Sequence, residues 1–361
     1  MAVGEVISGA TGTGTLADPY KPTTFLAWKT AVGTSNAYVC MEQDIDVSKD
    51  SVYKTGLTES ITINCTSLYG TAETYDNTRT YNRDDKCTLN DGEHGLCTYT
   101  CQSDGVTGVD VSDTTYWTRG GDPTKKLTGL IITSGSFLAM NSNNQFIENI
   151  FFESCVFDKN TSAYYQGFIQ KGGNSCTFND CKFSLFYNQH AAGWNWLTGS
   201  GNTHLNRCSV YIRYSHGTLS NIPSGANKFI SGNASKLNNC TVSLIGAGCS
   251  GDNGYNSCLG NVTNCSFYIQ LDMNLNSSGA YAFTLGYTTN CFYAIQFNET
   301  IGQYASNAAI TPMSSAMYGT NIIDKDIAGS VPIGTSANLI KGTTAQCKDK
   351  DWLISQGFFA S

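Results

Sequence analysis

Charge is scarce in this 361-residue chain. Only 14% of its residues are Asp, Glu, Lys or Arg, against roughly 25% in an average globular domain. Lys and Arg number 21 and Asp and Glu 28, so the net charge is −7. No basic patch is on hand to neutralise phosphates, which excludes nucleic-acid binding as the expected function. Proline is rare, with 6 in all. At 40% apolar and 12% aromatic residues, the composition is not that of a disordered chain. No run approaches 18 apolar residues, so no membrane-spanning helix is expected. The start, Met-Ala-Val-Gly-Glu-Val-Ile-Ser, has neither a basic nor an apolar leader region, and the reading is no secretory signal.

Cysteine is plentiful instead. Fifteen is an odd number, so complete pairing within one chain is impossible. Without a signal peptide, free thiols in a reducing cytosol are expected. Free Cys behaves as a small buried hydrophobe, so its spacing carries the information. Cys155, Cys181, Cys208, Cys240, Cys265 and Cys291 follow one another at 26, 27, 32, 25 and 26 residues. A period of this size marks a repeat architecture. The flanks repeat with it. Two residues after each Cys stand Phe157, Phe183, Val210, Val242, Phe267 and Tyr293. Just before each stand Ser154, Asp180, Arg207, Asn239, Asn264 and Asn290. Alternation from the Cys onward predicts a strand with one buried face. The preceding residue suits a turn, because Asn and Asp tolerate the left-handed region.

A second short apolar motif, such as Phe168-Ile169 or Trp196-Leu197, adds another strand per repeat. Two or three strands per ~26 residues with no helix describe one coil of a parallel β-helix. The fold class is therefore all-β: a parallel β-helix solenoid of ~25–26-residue coils stacked at about 4.8 Å. Cys at one inward position would form an interior ladder whose role is packing. Cys40 and Cys65, 25 residues apart, are assigned to the first two coils.

Both ends carry signals for short capping helices. Residues 24–33 read as an amphipathic helix with Thr23 or Thr24 as cap and Gly33 as stop. Thr343-Thr344-Ala345-Gln346 fits a capping box before an apolar face of Cys347, Trp352, Leu353 and Ile354. The expected organisation is a capping segment over 1–36, first coils with a long loop excursion over 37–126, the main β-helix over 127–325 and a terminal cap over 326–361.

The Cys-centred coils, the opening Gly12-to-Tyr20 stretch Gly-Thr-Gly-Thr-Leu-Ala-Asp-Pro-Tyr and the closing Trp352-to-Phe358 stretch resemble right-handed, pectate-lyase-like β-helix proteins of bacteriophage virions. These include tailspikes, fibres and head-decorating proteins. The resemblance covers residues 10–60 and 127–361. It implies a right-handed coil, a virion location and a homotrimer, with other virion proteins as partners. It is specific for architecture and weak for function.

Candidate chemistry is thin. From His190 to Ile310 the only acids are Asp252, Asp272 and Glu299. Asp252 sits in a turn sequence, Ser-Gly-Asp-Asn-Gly. Glu153 and Asp180, 27 residues apart, are one coil spacing from each other and form the candidate stacked carboxylate pair, with Glu148 nearby. Glycoside hydrolysis commonly needs two such groups flanking the bond. His94, His190, His204 and His216 have no Ser or Cys partner in a nucleophile motif. Cys87, His94, Cys97 and Cys101 are zinc-ligand types, but their spacing matches no standard zinc pattern. No cofactor and no metal is expected. The candidate contact surface is aromatic: Tyr187, His190, Trp194 and Trp196, with Tyr164, Tyr165, Tyr211 and Tyr214 on nearby coils. The expectation is a non-enzymatic virion structural protein. A tailspike-type glycan depolymerase and a non-catalytic adhesin for a host glycan are the alternatives.

Overall fold

The structure, a computed structural model, describes residues 1–361 except 91–95, 121–122, 142–143, 159–166, 171–174, 189–194, 199–202, 216–227, 231–234, 248–255, 259–260, 272–273, 276–279, 285–286, 298–302, 305–308, 314–315, 329–337 and 359–361. It is a parallel β-helix. One coil runs through Cys176–Asn179 on a first sheet, Lys182–Asn188 on a second and Asn195–Thr198 on a third. The chain then returns to the first sheet at Thr203–Asn206, with Cys176 paired to Thr203. Among the described residues nine strands belong to the first sheet, eleven to the second and five to the third. Neighbours in all three are parallel and close to residue-for-residue register.

Register turns sequence columns into spatial columns. In the first sheet Leu68, Ile147, Phe178, Leu205, Leu237 and Val262 point inward one above another. In the second sheet the inward column is Phe152, Phe183, Val210, Val242, Phe267 and Tyr293. Aromatic members stack face to face where they adjoin, Phe152 on Phe183 at 5.4 Å and Phe267 on Tyr293 at 5.2 Å. Burying each such side chain contributes about 1.5–3 kcal/mol.

The corner from the first sheet to the second requires one left-handed residue per coil. Asn149, Asp180, Arg207, Asn239, Asn264 and Asn290 fill it with φ of 51–60°, and Gly319 does so in a later coil at φ 59°. The residue types predicted for a turn occupy that turn.

One expected alignment is overturned. Cys155 does not stand in the column of Cys181. Asn149, not Ser154, takes the corner position aligned with Asp180, so Ile150 aligns with Cys181. An extra residue then bulges between Phe152 and Cys155, and Cys155 lands opposite Leu185. A bulge places two residues against one on the partner strand, here shifting the Cys by one inward site. Cys155 is still fully buried. Cys40 lies on the first-sheet strand Tyr38–Met41, opposite Tyr69, and Cys65 just precedes the next strand of that sheet, Ser67–Gly70.

The ends are closed by helices. Helix α1 (Phe25–Val32) is capped by Thr24, whose side chain accepts the Ala27 N–H. It buries Trp28 between Phe25 and Phe137, with ring centroids 5.5 and 6.1 Å away. At the other end the chain forms α2 (Lys325–Ala328), α3 (Thr344–Lys348) and α4 (Lys350–Ser355). The capping box of Thr343 and Gln346 is present. The expected single apolar face is split, because Asp349 is extended and serves as both stop of α3 and cap of α4. Leu353 is buried, whereas Ile354 is exposed.

The excursion has a fold of its own. Within residues 71–124, strands Glu73–Thr74, Lys86–Asn90, Leu96–Cys101 and Trp117–Arg119 form one sheet, and Thr80–Tyr81 pairs with Val106–Thr107. Its core is Tyr81, Cys87, Cys101, Val106, Val111 and Trp117, separate from the solenoid core. Tyr75, Tyr81 and Trp117 pack ring against ring at 5.0–5.9 Å.

Candidate functional site

Ionisable side chains converge where the insert lies on the coils. Glu148 ends the first-sheet strand Gln145–Glu148, and its side chain is 0% exposed. Its Oε1 accepts the Thr98 N–H of the insert at 3.1 Å, and its Oε2 accepts from Arg119 Nη2 at 3.1 Å. Arg119 Nη2 also reaches Cys97 Sγ at 2.9 Å. Burial pushes the Glu148 carboxyl above its ordinary pKa; the Arg119 charge opposes this and the Asp180 charge adds to it. Asp180 stands at the next corner, likewise 0% exposed. Arg207, one coil further, grips it with two parallel bonds, Nε to Oδ1 and Nη2 to Oδ2, each 2.8 Å. Such bidentate pairs are among the strong hydrogen bonds. Burial lowers the Arg207 pKa, but the bonds and charge of Asp180 more than offset it and leave it raised.

Gly120 of the insert seals this pair. Its φ is +99°, and a Cβ there would stand 2.0 Å from Asp180 Oδ1, so only glycine permits the approach. Beside the seam lies a pocket of about 330 Å³ lined by Thr100, Gln102, Thr118, Arg119, Asp180, Lys182, Arg207 and Ser209. Ser209 also borders a shallow groove of about 360 Å³ across the outer face of the second sheet. Tyr211, Thr241, Ser243, Ser266, Tyr268 and Phe292 line that groove. Tyr268 is 40% exposed, and its hydroxyl lies 3.2 Å from Gln296 Oε1. A third cleft, about 580 Å³, lies between the N-terminal segment and the insert. The Lys21–Glu42 ion pair at 2.7 Å flanks it. Cys40 in its wall is pushed up to about 12 by burial, so its thiol is not a poised nucleophile.

The expected carboxylate pair is not assembled. Glu153 lies in the bulged strand and pairs with Lys126 at 3.0 Å, while Asn149 aligns with Asp180. The acids near one another are Glu148 and Asp180, and both are covered and gripped by guanidinium groups. A general acid or base must reach the proton it transfers, and neither side chain meets solvent.

The aromatic surface is placed differently from expectation. Tyr187 points inward and stacks on Phe157 at 4.3 Å, so it is core. An alternating strand puts it on the same face as Phe183 and Leu185. Trp196 lies in the strand Asn195–Thr198, with its side chain outside the described residues, as are His190, Trp194, Tyr164 and Tyr165. Tyr211, Tyr268 and Phe292 are outward aromatics beside the described groove. Cys87 and Cys101 are in the insert core, Cys97 meets Arg119, and His94, Asp252 and Asp272 lie outside the described residues. Among the described residues no three His, Cys, Asp or Glu side chains are grouped to hold a metal ion.

The Asp180–Arg207 pair had a legible signal. Opposite charges occupy the same repeat offset in consecutive coils, and a parallel in-register stack must bring them together. The Glu148–Arg119 pair had none, because it joins the repeat to a segment outside it. Comparison with known proteins returns no matching family model, no matching curated protein and no matching solved structure.

Proposed function

We propose that this chain is a non-enzymatic structural protein of a bacteriophage virion, a β-solenoid rod displayed on the particle and assembled with copies of itself. The observation that carries the reading is the use made of charge. The two buried carboxylates at the seam are held as structural ties, Glu148 by Thr98 and Arg119 of the insert and Asp180 by Arg207 of the next coil, and their side chains are 0% exposed. Continuous parallel ladders shared between neighbouring coils suit a mechanical part. The phage and trimer elements rest on the sequence resemblance.

A second reading, a glycan-binding adhesin, is favoured by the groove between Tyr211 and Tyr268, where rigid amphipathic rings adjoin a row of hydroxyls. The depolymerase alternative draws no support from Glu148 and Asp180. Electron microscopy of intact phage particles labelled with an antibody to this chain tests the proposal. Label on the shell or along the tail is the expected result. Label confined to the tail tip would move the assignment to the adhesin. Unlabelled particles would overturn the virion reading altogether.

A further inference from the structure

Two arginines share one pocket, and each is already held in place. Arg119 ends the insert strand Trp117–Arg119, and Arg207 occupies the corner after Thr203–Asn206. Each grips a carboxylate that is itself 0% exposed, Glu148 for Arg119 and Asp180 for Arg207. The two guanidinium side chains nevertheless stay 35% and 34% exposed. Both line the pocket of about 330 Å³ beside the seam, whose walls come from the insert on one side and from the coils on the other.

The grip on Asp180 decides which donors Arg207 has left. A guanidinium carries five N–H groups in a fixed plane. Nε and one Nη2 hydrogen form a first fork, which is spent on the two oxygens of Asp180. The other Nη2 hydrogen and one Nη1 hydrogen form a second fork, on the edge turned away from the buried acid. That fork has no partner among the described residues. Its spacing matches the two oxygens of an oxyanion as well as the first fork matches Asp180. An ordinary surface Arg loses rotamer freedom when it binds, whereas Arg207 has already lost it on folding.

The surroundings favour the same ligand. Ser209 and Thr118 line the pocket with hydroxyls that have no partner among the described residues, and Lys182 adds a third positive charge. Asp180 is the one acid among the described lining residues, and both its oxygens are turned to Arg207. The charge of Arg119 works against that of Arg207, a repulsion that an anion beside both would relieve. In a chain of net charge −7, this cluster is a local reversal of sign, and such clefts concentrate ions of the opposite sign.

We propose that this pocket binds a small oxyanion, a carboxylate, phosphate or sulfate group, in the second fork of Arg207, with Arg119 and Lys182 as flanking charges. The bound group bridges insert and coil, because Arg119 belongs to one and Arg207 to the other. This inference is independent of the virion reading, since it concerns the seam and not what the solenoid is attached to.

Calorimetric titration of the folded full chain with sodium acetate, sulfate and phosphate in turn tests it. The titrations are run at neutral pH, with chloride replaced so that ionic strength stays constant. Saturable uptake of one anion per chain, by at least one of the three, is the expected result, and the tightest of them identifies the group. Hydrogen exchange supplies a local readout. The Thr98 N–H, which donates to Glu148 at the seam, should exchange more slowly when the anion is bound. Arg207→Lys keeps a positive charge for Asp180 but has no second fork, and should weaken uptake at least tenfold. Thr118→Glu places a negative charge on the exposed rim, leaves both buried pairs intact and should weaken uptake as much, which guards against an Arg207 variant that fails to fold. No saturable uptake by the native chain would overturn the proposal. So would uptake unchanged in both Arg207→Lys and Thr118→Glu.

Discussion

The solenoid and its insert are both β structure with buried cysteines, but they encode it differently. In the solenoid, contacts run between residues about one coil apart, and each coil repeats the demands of the last. A left-handed corner, an inward thiol and an inward apolar residue recur because the backbone path recurs. In the insert every strand has a different neighbour and length, and the partners of Trp117 are Tyr75 and Tyr81, more than thirty residues back. Stability should differ accordingly. A stack shares its load between neighbouring coils, whereas a small insert core depends on a few large side chains.

The largest expected effect follows. Trp117→Ala removes a ring that is 1% exposed and whose Nε1–H bonds Val109 O at 3.1 Å. Truncating a buried Trp costs about 3–5 kcal/mol, enough to open a small core. The expected signature is local. Cys87 and Cys101 become reactive to a thiol reagent under native conditions, while Cys181, Cys208 and Cys240 stay protected. Simultaneous exposure of both sets would show that insert and solenoid unfold as one unit, and the contrast between them would fail.

The seam comes next, because it belongs to both regions. Arg207→Ala leaves Asp180 buried without its fork. Removing one partner of a buried pair costs about 3–5 kcal/mol; the lower end is expected here because the Arg207 side chain is 34% exposed. Other coils fill the same corner with Asn239, Asn264 and Asn290. The double variant Asp180→Asn, Arg207→Asn should therefore recover most of the loss in a denaturant melt. No recovery would mean that the pair holds the insert in place rather than serving the corner.

These two regions also mark how far the sequence could be read. The Cys period revealed the coil, the corner residues and the inward columns, because each is enforced once per turn. It misplaced Cys155 because the 26-residue spacing to Cys181 matches one coil by coincidence. The true column partner is Ile150, 31 residues before Cys181. A bulge is invisible to a period count, since it adds a residue without changing residue types. Tyr187 was misread for a related reason: its distance from Phe183 is even, which is an inward parity, but it was grouped with His190, Trp194 and Trp196 as contact surface. The insert was legible only as absence of period. Its antiparallel pairs depend on non-local partners, and Glu148 gave no sign that Arg119 would cover it.

Glu148 supplies the smallest and most discriminating test. Its folded-state pKa is raised above the ordinary carboxyl value, chiefly by burial. A raised value means the native state binds the proton more tightly than the unfolded chain does. The stability linked to this group is therefore full below the unfolded carboxyl pKa and is lost as pH rises through the folded one. Glu148→Gln cannot titrate, so it removes that dependence. The stability of the native protein relative to Glu148→Gln should increase as pH falls from neutral toward 5, measured by urea unfolding at matched ionic strength. Arg119 opposes the trend, since its bond favours the charged carboxylate. If the difference instead shrinks on acidification, the Arg119 and Thr98 contacts outweigh burial and the seam is a charge pair first. If it grows, the solenoid has accepted a buried acid whose main function is to hold the insert by hydrogen bonds, and the insert is anchored at a cost to the coil beneath it.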